Sequence, residues 1–221
     1  MQKKAFIFDL DGVIVDTAKF HYLAWKKLAN DLGFDFSEKQ NEMLKGVSRS
    51  KSLEILLEIG NISLTQVQKE TLMFEKNQRY LSSVDSLGTS EILPGIKDLI
   101  LYLKSKNILV ALGSASKNAI PLLKSLELFE FFDAIVDGND VTHAKPDPEV
   151  FLLAAEKLLV SPKNCVVVED SQAGIQAANI AGMTSVGVGS PENLSGSDFL
   201  FASTGDLTTD FVERFLNFKK A

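Results

Sequence analysis

Residues 5–12 of the chain read Ala-Phe-Ile-Phe-Asp-Leu-Asp-Gly. The first four are apolar without alternation, which is typical of a strand buried on both faces of a parallel sheet. The two aspartates and the glycine indicate that this strand, predicted over 5–10, runs straight into a polar turn. Similar apolar runs recur later in the chain, and the further strands are predicted over 108–112, 134–136, 165–168, 185–188 and 200–202.

Segments in which apolar residues recur at helical spacing separate these runs. Alternation of strands and helices predicts the α/β class, here a doubly wound parallel sheet with helices on both faces. Open sheets of this kind bind ligands beyond the carboxyl ends of their strands. The helices of this part of the chain are predicted over 95–104, 117–126, 148–159, 172–181 and 209–218.

One connection is much longer than the others. About a hundred residues separate the first two strands, whereas a single crossover helix needs only about a dozen. The stretch has helical spacing over 20–32, 50–59 and 65–81, and Ser37 and Gln40 have the spacing of a capping box. We therefore predict an inserted all-α helical cap domain over residues 18–86, called the lid below. Residues 1–17 and 87–221 are predicted to form the α/β core.

Composition limits the classes of function. The chain has 221 residues and a formal net charge of −6, which argues against general binding of nucleic acid or of anionic membranes. It has one cysteine and therefore no internal disulfide. No stretch reaches the roughly 18 apolar residues that a membrane span needs. We expect a cytoplasmic monomer whose ligand is a small molecule, without nucleic-acid or membrane partners.

Polar residues follow the predicted strands where each strand ends. Carboxylates, a hydroxyl and a lysine would meet there at one edge of the sheet, and clustered carboxylates repel unless a cation neutralises them. Oxygen ligands favour a hard cation such as Mg²⁺, and a lysine beside it suits the binding and transfer of a phosphoryl group. The residues concerned are Asp9, Asp11, Ser114, Lys145, Glu169 and Asp170.

Four segments of the chain resemble, in order, the motifs of the haloacid dehalogenase superfamily of phosphotransferases: 9–13, Ser114, 145–146 and 169–170. Within it, segments 44–49, 76–77, 114–118 and 170–175 resemble those of β-phosphoglucomutases. The resemblance runs from residue 6 to about 192. It implies a Rossmannoid core with a helical lid, and interconversion of β-D-glucose 1-phosphate and D-glucose 6-phosphate. The route would pass through an aspartyl-phosphate enzyme and β-D-glucose 1,6-bisphosphate, with Mg²⁺ as cofactor.

The resemblance also implies the catalytic roles. Asp9 would be the nucleophile and Asp11 the general acid and base, while Ser114 and Lys145 would hold the phosphoryl oxygens. The ligands of Mg²⁺ would be Asp9, the main-chain carbonyl of Asp11, Glu169 and Asp170. On residue chemistry alone, plainer roles stay open: Asp9 and Asp11 as turn residues, Asp170 as a helix cap, and Lys145 as a solvated loop residue.

A mutase needs a second anion site for the distal phosphate of its bisphosphate. The start of a helix at residues 116–118, together with Arg49 on the lid, would supply it. His21 would position Asp11, Trp25 would line the closed cavity, and Lys76 would reach a sugar hydroxyl. Solvated or core roles remain the alternatives for these side chains. The expected substrate-binding residues are His21, Trp25, Gly46, Val47, Ser48, Arg49, Lys76, Ala115, Ser116, Lys117 and Asn118.

Two other functions are compatible with the same residues. A sugar-phosphate phosphatase would use water as the acceptor, and it would release inorganic phosphate without isomerising the sugar. A non-catalytic binding module for phospho-sugar or Mg²⁺ is disfavoured, because binding alone has no use for a nucleophile beside an acid. Hinges that move the lid are predicted at 16–17 and 86–93.

Overall fold

The computed structural model describes residues 4–85 and 87–216. The strands are β1 (Ala5–Phe8), β2 (Leu109–Gly113), β3 (Ala134–Val136), β4 (Cys165–Glu169), β5 (Thr184–Val188) and β6 (Phe199–Phe201). They form a six-stranded sheet in the order β3-β2-β1-β4-β5-β6, and every neighbouring pair is parallel. The predicted doubly wound parallel sheet is confirmed.

The helices follow the predicted alternation. They are α1 (Ala18–Asp31), α2 (Glu38–Asn41), α3 (Arg49–Ile59), α4 (Gln66–Val84), α5 (Ile96–Ser105), α6 (Ala119–Ser125), α7 (Glu149–Leu158), α8 (Gln172–Ile180) and α9 (Thr209–Leu216). Residues 217 and 218 of the predicted last helix lie outside the described residues. Within the described residues, no helix is both long and apolar enough to cross a bilayer.

The prediction for α6 was wrong at its beginning, because the helix starts at Ala119 and not at residue 117. Two serines hold the preceding backbone in turns. The Ser116 amide donates to the Ser114 hydroxyl over 3.0 Å, and the Asn118 amide donates to the Ser116 hydroxyl over 3.2 Å. Such local bonds compete with helix formation, so the segment remains a loop.

The order in which strands are added to the sheet reverses at its centre. Strand β1 pairs with β2 on one side and with β4 on the other, and successive strands then extend outwards from this pair. Both faces of β1 are buried: Phe6 and Phe8 pack in one apolar cluster, and Ile7 packs in another. The polar ends of β1 and β4 therefore lie side by side at the switch point where such sheets bind ligands.

The lid helices α1, α3 and α4 pack around an apolar cluster of their own. Trp25 and Leu28 of α1, Phe36 of the following loop, and Leu53 and Leu56 of α3 are all buried in it. The predicted capping box is confirmed, since Ser37 and Gln40 bond to each other's backbone. The bounds 18–86 for a separate domain stay a prediction, and Ser86 lies outside the described residues.

Candidate active site

A cavity of about 510 Å³ lies between the lid and the carboxyl ends of β1, β2 and β4. Its walls contain all of the predicted site residues except Glu169. From the core these are Asp9, Asp11, Ser114, Ala115, Ser116, Lys117, Asn118, Lys145 and Asp170; from the lid they are His21, Trp25, Gly46, Val47, Ser48, Arg49 and Lys76. The volume lies in the range of small-molecule sites.

Lys145 joins two buried acids on the floor of the cavity. Its ammonium donates to Asp9 Oδ1 and to Glu169 Oε1, each over 2.6 Å, and to the carbonyl of Gly113 over 3.1 Å. The lysine is 2% exposed, which excludes the solvated loop role. Burial alone would lower the pKa of Lys145, but the Asp9 and Glu169 carboxylates raise it above its ordinary value.

Glu169 is fully buried beneath the cavity wall. One carboxylate oxygen accepts from Lys145, and the other accepts from the amide and the hydroxyl of Ser171, each over 2.8 Å. Gly174 makes room for it, because a Cβ there would lie 1.9 Å from Glu169 Oε1. Both oxygens therefore already have protein partners, which favours an indirect role for Glu169 at a metal.

Asp9, Glu169 and Asp170 bring carboxylate oxygens within 4.8 Å of one another. Burial raises the pKa of Asp9 to about 7, although the Lys145 ammonium opposes the rise. Burial and the Glu169 charge raise the pKa of Asp170 well above its usual range. Three acids thus face one buried ammonium, and a divalent cation would relieve the excess negative charge. The donor set, oxygen throughout, fits Mg²⁺.

Asp11 lies in a different electrostatic setting from Asp9. Its carboxylate accepts from the Thr17 hydroxyl, and His21 Nε2 lies 3.5 Å from Asp11 Oδ1. Burial would raise the pKa of Asp11, but His21 and Thr17 lower it below the ordinary value. Asp11 is therefore ionised in this arrangement and can accept a proton.

Lys76 extends from α4 to the second ring nitrogen of His21. Its ammonium lies 2.7 Å from His21 Nδ1, and it is 2% exposed. Burial and the neighbouring Lys76 charge lower the pKa of His21, so the ring is neutral. If Nδ1 accepts from Lys76, the ring proton is on Nε2, which faces Asp11.

Besides Lys76, two cations that line the cavity have no ion-pair partner among the described residues. They are Arg49, at the first position of α3, and Lys117, in the turn before α6. Ser48 is the N-cap of α3, and its hydroxyl accepts from the Lys51 amide over 3.3 Å. This end of the cavity therefore has positive charge available for an anion.

Further contacts join the lid to the core around the cavity. The Asn118 side chain donates to the Asn77 side-chain oxygen over 3.0 Å, and the Lys45 ammonium lies 3.7 Å from Asp170 Oδ2. Gly46 has a φ of +72°, and a Cβ there would come 2.2 Å from Ser171 Oγ. The absence of a side chain at Gly46 thus lets the lid approach the core closely at this point.

Sequence reasoning missed several residues of the cavity and its surroundings. Tyr80 follows Lys76 by four residues on α4, and this helical spacing is a signal that could have found it. Thr17 was noted as a hinge and not as a partner of Asp11. Lys45 lies within the segment 44–49 that carries the resemblance, but no role was assigned to it. No local signal points to the other residues, which tertiary packing brings to the cavity: Asn41, Ser52, Met73 and Phe74.

The chain is similar to known proteins over most of its length. The haloacid dehalogenase-like hydrolase family matches residues 3–182. A β-phosphoglucomutase of Bacillus subtilis is 44% identical over 211 residues, which are 95% of this chain and 93% of that protein. A crystal structure of β-phosphoglucomutase from Clostridium difficile is 46% identical, covers 98% of both chains and has a TM-score of 0.93. A phosphorylated carbohydrates phosphatase of Thermotoga maritima is 34% identical over 182 residues, 81% of this chain and 82% of that protein.

Proposed function

Because the chain belongs to the haloacid dehalogenase-like hydrolase family, and within it is a relative of the β-phosphoglucomutases, we propose that it is a phosphomutase. It interconverts β-D-glucose 1-phosphate and D-glucose 6-phosphate through β-D-glucose 1,6-bisphosphate. One observation carries the proposal: a single lid-covered cavity holds both the Asp9 carboxylate and the unpaired cations Arg49 and Lys117. A ligand with a phosphate at each end needs both kinds of group.

Asp9 is the nucleophile of the proposed reaction. Its carboxylate attacks phosphorus and forms an aspartyl phosphate while the sugar oxygen leaves, which divides one transfer into two steps. Lys145 already touches Asp9 and is 2% exposed. Its ammonium, with the Ser114 hydroxyl, stabilises the charge that shifts onto the phosphoryl oxygens.

Asp11 moves the proton in this scheme. As an ionised carboxylate it takes the proton of the sugar hydroxyl that attacks the phosphorylated Asp9. In the reverse direction the protonated Asp11 returns that proton to the departing sugar oxygen. His21 and Thr17 hold its carboxylate and stabilise its charged form.

Asp9, Asp170 and the main-chain carbonyl of Asp11 would hold Mg²⁺, and Glu169 would support the site through Lys145 and Ser171. When bound, Mg²⁺ supplies positive charge that offsets the charge of the carboxylates and of a phosphoryl group. Gly12 is needed beside it, because a Cβ there would lie 2.2 Å from Asp170 Oδ2. Mn²⁺ titration followed by electron paramagnetic resonance, with Asp170→Ala as the control, tests the assignment.

The lid excludes water while Asp9 is phosphorylated. A closed lid favours transfer to a bound sugar over hydrolysis, and its opening exchanges the ligands. We propose that residues 18–86 move as one domain about the segments 16–17 and 86–93. The contact of Asn77 with Asn118 supports closure over the phosphate end of the cavity.

A coupled assay tests the function. β-D-glucose 1-phosphate, Mg²⁺ and catalytic bisphosphate are supplied, formation of glucose 6-phosphate is followed, and inorganic phosphate is measured in parallel. Isomerisation with little phosphate release is expected. Phosphate release without isomerisation would identify a phosphatase and overturn the proposal.

The distal-phosphate site is tested by Arg49→Ala. This variant should still form the phosphoenzyme from small phosphoryl donors, yet fail to use the bisphosphate. Lys51→Ala, an exposed change on the same helix, is the matched control. Unchanged mutase turnover in Arg49→Ala would place the distal phosphate elsewhere.

The cellular setting follows from the same proposal. A sugar phosphate is a cytoplasmic metabolite, so we propose a cytoplasmic location. The cavity is built from one chain, and we propose that the enzyme is active as a monomer. Sedimentation at working concentration tests this second point, since loss of activity on dissociation would contradict it.

A further inference from the structure

Lys76 is a buried ammonium that has no carboxylate within ion-pair distance among the described residues. Burial of a lone charge is costly, and such a group normally pairs with an acid or loses its charge. Burial lowers the pKa of Lys76 to about 7, and the Arg49 charge adds to the decrease. What stabilises its charged form must therefore be sought in other groups.

Two aromatic faces surround this ammonium. Lys76 Nζ lies 4.7 Å from the ring centroid of Trp25 and 5.2 Å from that of Tyr80. Both rings are buried, with exposed fractions of 3% and 1%. The negative face of an aromatic ring attracts a cation at this distance, most strongly when the pair is shielded from water, and indole is the best of the natural rings.

Tyr80 also holds the acceptor of the ammonium. Its ring stacks on His21, with centroids 4.0 Å apart and an interplanar angle of 22°. His21 Nδ1 lies 2.7 Å from Lys76 Nζ, so one tyrosine supports both partners of that contact. We propose that Trp25 and Tyr80 are positioning residues, whose ring faces hold the Lys76 ammonium against His21.

Other lysine–ring contacts in the protein do not share this setting. Lys26 over Tyr22 and Lys106 over Tyr102 lie at similar distances, 5.5 and 5.2 Å, but those ammoniums are partly exposed to water. Lys145 lies 4.7 Å from the Phe151 centroid, yet two carboxylates already neutralise it. At Lys76, by contrast, both rings are buried, and no carboxylate of the described residues lies within ion-pair distance.

The charged and titratable groups around Lys76 come from four elements. His21 belongs to α1, Arg49 to α3 and Tyr80 to α4 itself, while Asp11 belongs to the turn after β1. Of these, Asp11 is the acid, and it stabilises the ammonium from beyond His21. The effect of the rings must be separated from the effects of these groups.

Trp25 is the sole tryptophan of the chain, so biosynthetic substitution changes that ring alone. Protein made with 5-fluoro-, 5,7-difluoro- and tetrafluorotryptophan keeps the ring shape and progressively weakens its negative face. The pKa of Lys76 is read from the NMR titration of labelled lysine side chains, and Lys76→Met assigns the signal. We expect a stepwise fall that totals about 1 across the series.

A constant pKa of Lys76 across the fluorine series would overturn the proposal, because a ring that only fills space is insensitive to fluorine. Tyr80→Phe keeps the ring face and should leave the pKa unchanged, whereas Tyr80→Leu should lower it. If Tyr80→Leu does not fold, the fluorine series still decides. The readout needs no turnover, so failure of the mutase assay and failure of this proposal are distinguishable.

A second readout follows His21. The chain has two histidines, so the nitrogen shifts of its ring are easily assigned. They should show an Nε2–H tautomer while Lys76 is protonated, and lose that preference as Lys76 deprotonates. In the tetrafluorotryptophan protein this change should occur at lower pH by the same amount as the titration of Lys76. If the tautomer of His21 does not change as Lys76 titrates, the contact between the two side chains is contradicted.

Discussion

The core and the lid each contribute one buried lysine to the cavity, and the two lysines are stabilised in opposite ways. Lys145 donates to the carboxylates of Asp9 and Glu169, which keep it charged. Lys76 has an imidazole and two aromatic faces, and the net effect of its surroundings is to bring its pKa down to about 7. Both are 2% exposed, so burial does not explain the difference.

The difference separates two kinds of task. On the core side, opposite charges lie at hydrogen-bond distance and are ordered before any ligand arrives, as charge stabilisation during phosphoryl transfer requires. On the lid side, the ammonium is near the balance between its charged and neutral forms. A phosphate entering the cavity would favour the charged form. The lid is therefore the side whose electrostatics respond to the ligand.

The strongest test of the core side is Asp9→Asn. An amide cannot accept phosphorus as the carboxylate does, so turnover should fall by about four orders of magnitude or more. Calorimetric binding of glucose 6-phosphate should be retained, because the cations of the distal site are untouched. Turnover within tenfold of the unmodified enzyme would mean that the nucleophile is another residue.

The comparison of the two lysines is sharpened by Lys145→Met. The change leaves Asp9 and Glu169 buried without their cation, and it should lower the free energy of unfolding by about 3 to 5 kcal/mol at pH 7. The pKa of Asp9 is about 7 in the folded protein with Lys145 beside it, and removing the ammonium raises this pKa further. The deficit should therefore grow as pH rises above about 7, where Asp9 is ionised in the natural protein but still protonated in the variant. Urea unfolding measures it, with exposed Lys163→Met as the control. A pH-independent deficit would contradict the electrostatic account.

For Lys76→Met we expect the free energy of unfolding to rise. A thioether of similar length removes a lone buried charge, so the variant should be more stable than the natural protein by about 1 kcal/mol at pH 7. The pKa of Lys76 is lower in the folded state than in the unfolded state. The natural protein therefore gains stability as pH rises from about 7 to 10, and the difference in stability between the variant and the natural protein should disappear. Lys51→Met, an exposed lid change, is the control. Destabilisation at every pH would show that the ammonium has a strong partner.

The smallest effect is expected where the two regions touch. Asn77→Ala removes the acceptor of the Asn118 side chain and should weaken the closed lid by about 1 kcal/mol. The KM for sugar phosphate should rise about fivefold with little change in kcat. Asn30→Ala, at an exposed position of α1, serves as the control for a neutral change in the lid. An unchanged KM would mean that the bond does not contribute to closure.

The sheet was predictable because buried parallel strands have a distinct composition, and all six observed strands overlap the predicted runs. The acids at the ends of β1 and β4 were predictable because they come directly after apolar runs. Tyr80 was not, since a helical residue reaches a site only through the packing of one helix on another. The early start predicted for α6 failed because the turn bonds of Ser114 and Ser116 have no signature in apolar spacing.

The lid helices lie between β1 and β2 in the chain, and this order has a consequence for synthesis on the ribosome. Strand β1 is made first, but its partners β2 and β4 begin only at residues 109 and 165. At about 10 residues per second, roughly 10 and 16 s pass before each of them has been translated. The lid helices, which are contiguous in the nascent polypeptide, can bury their own apolar cluster during that delay. The strand that leads into Asp9 is thus translated before both of its neighbours, and its pairing must wait for theirs.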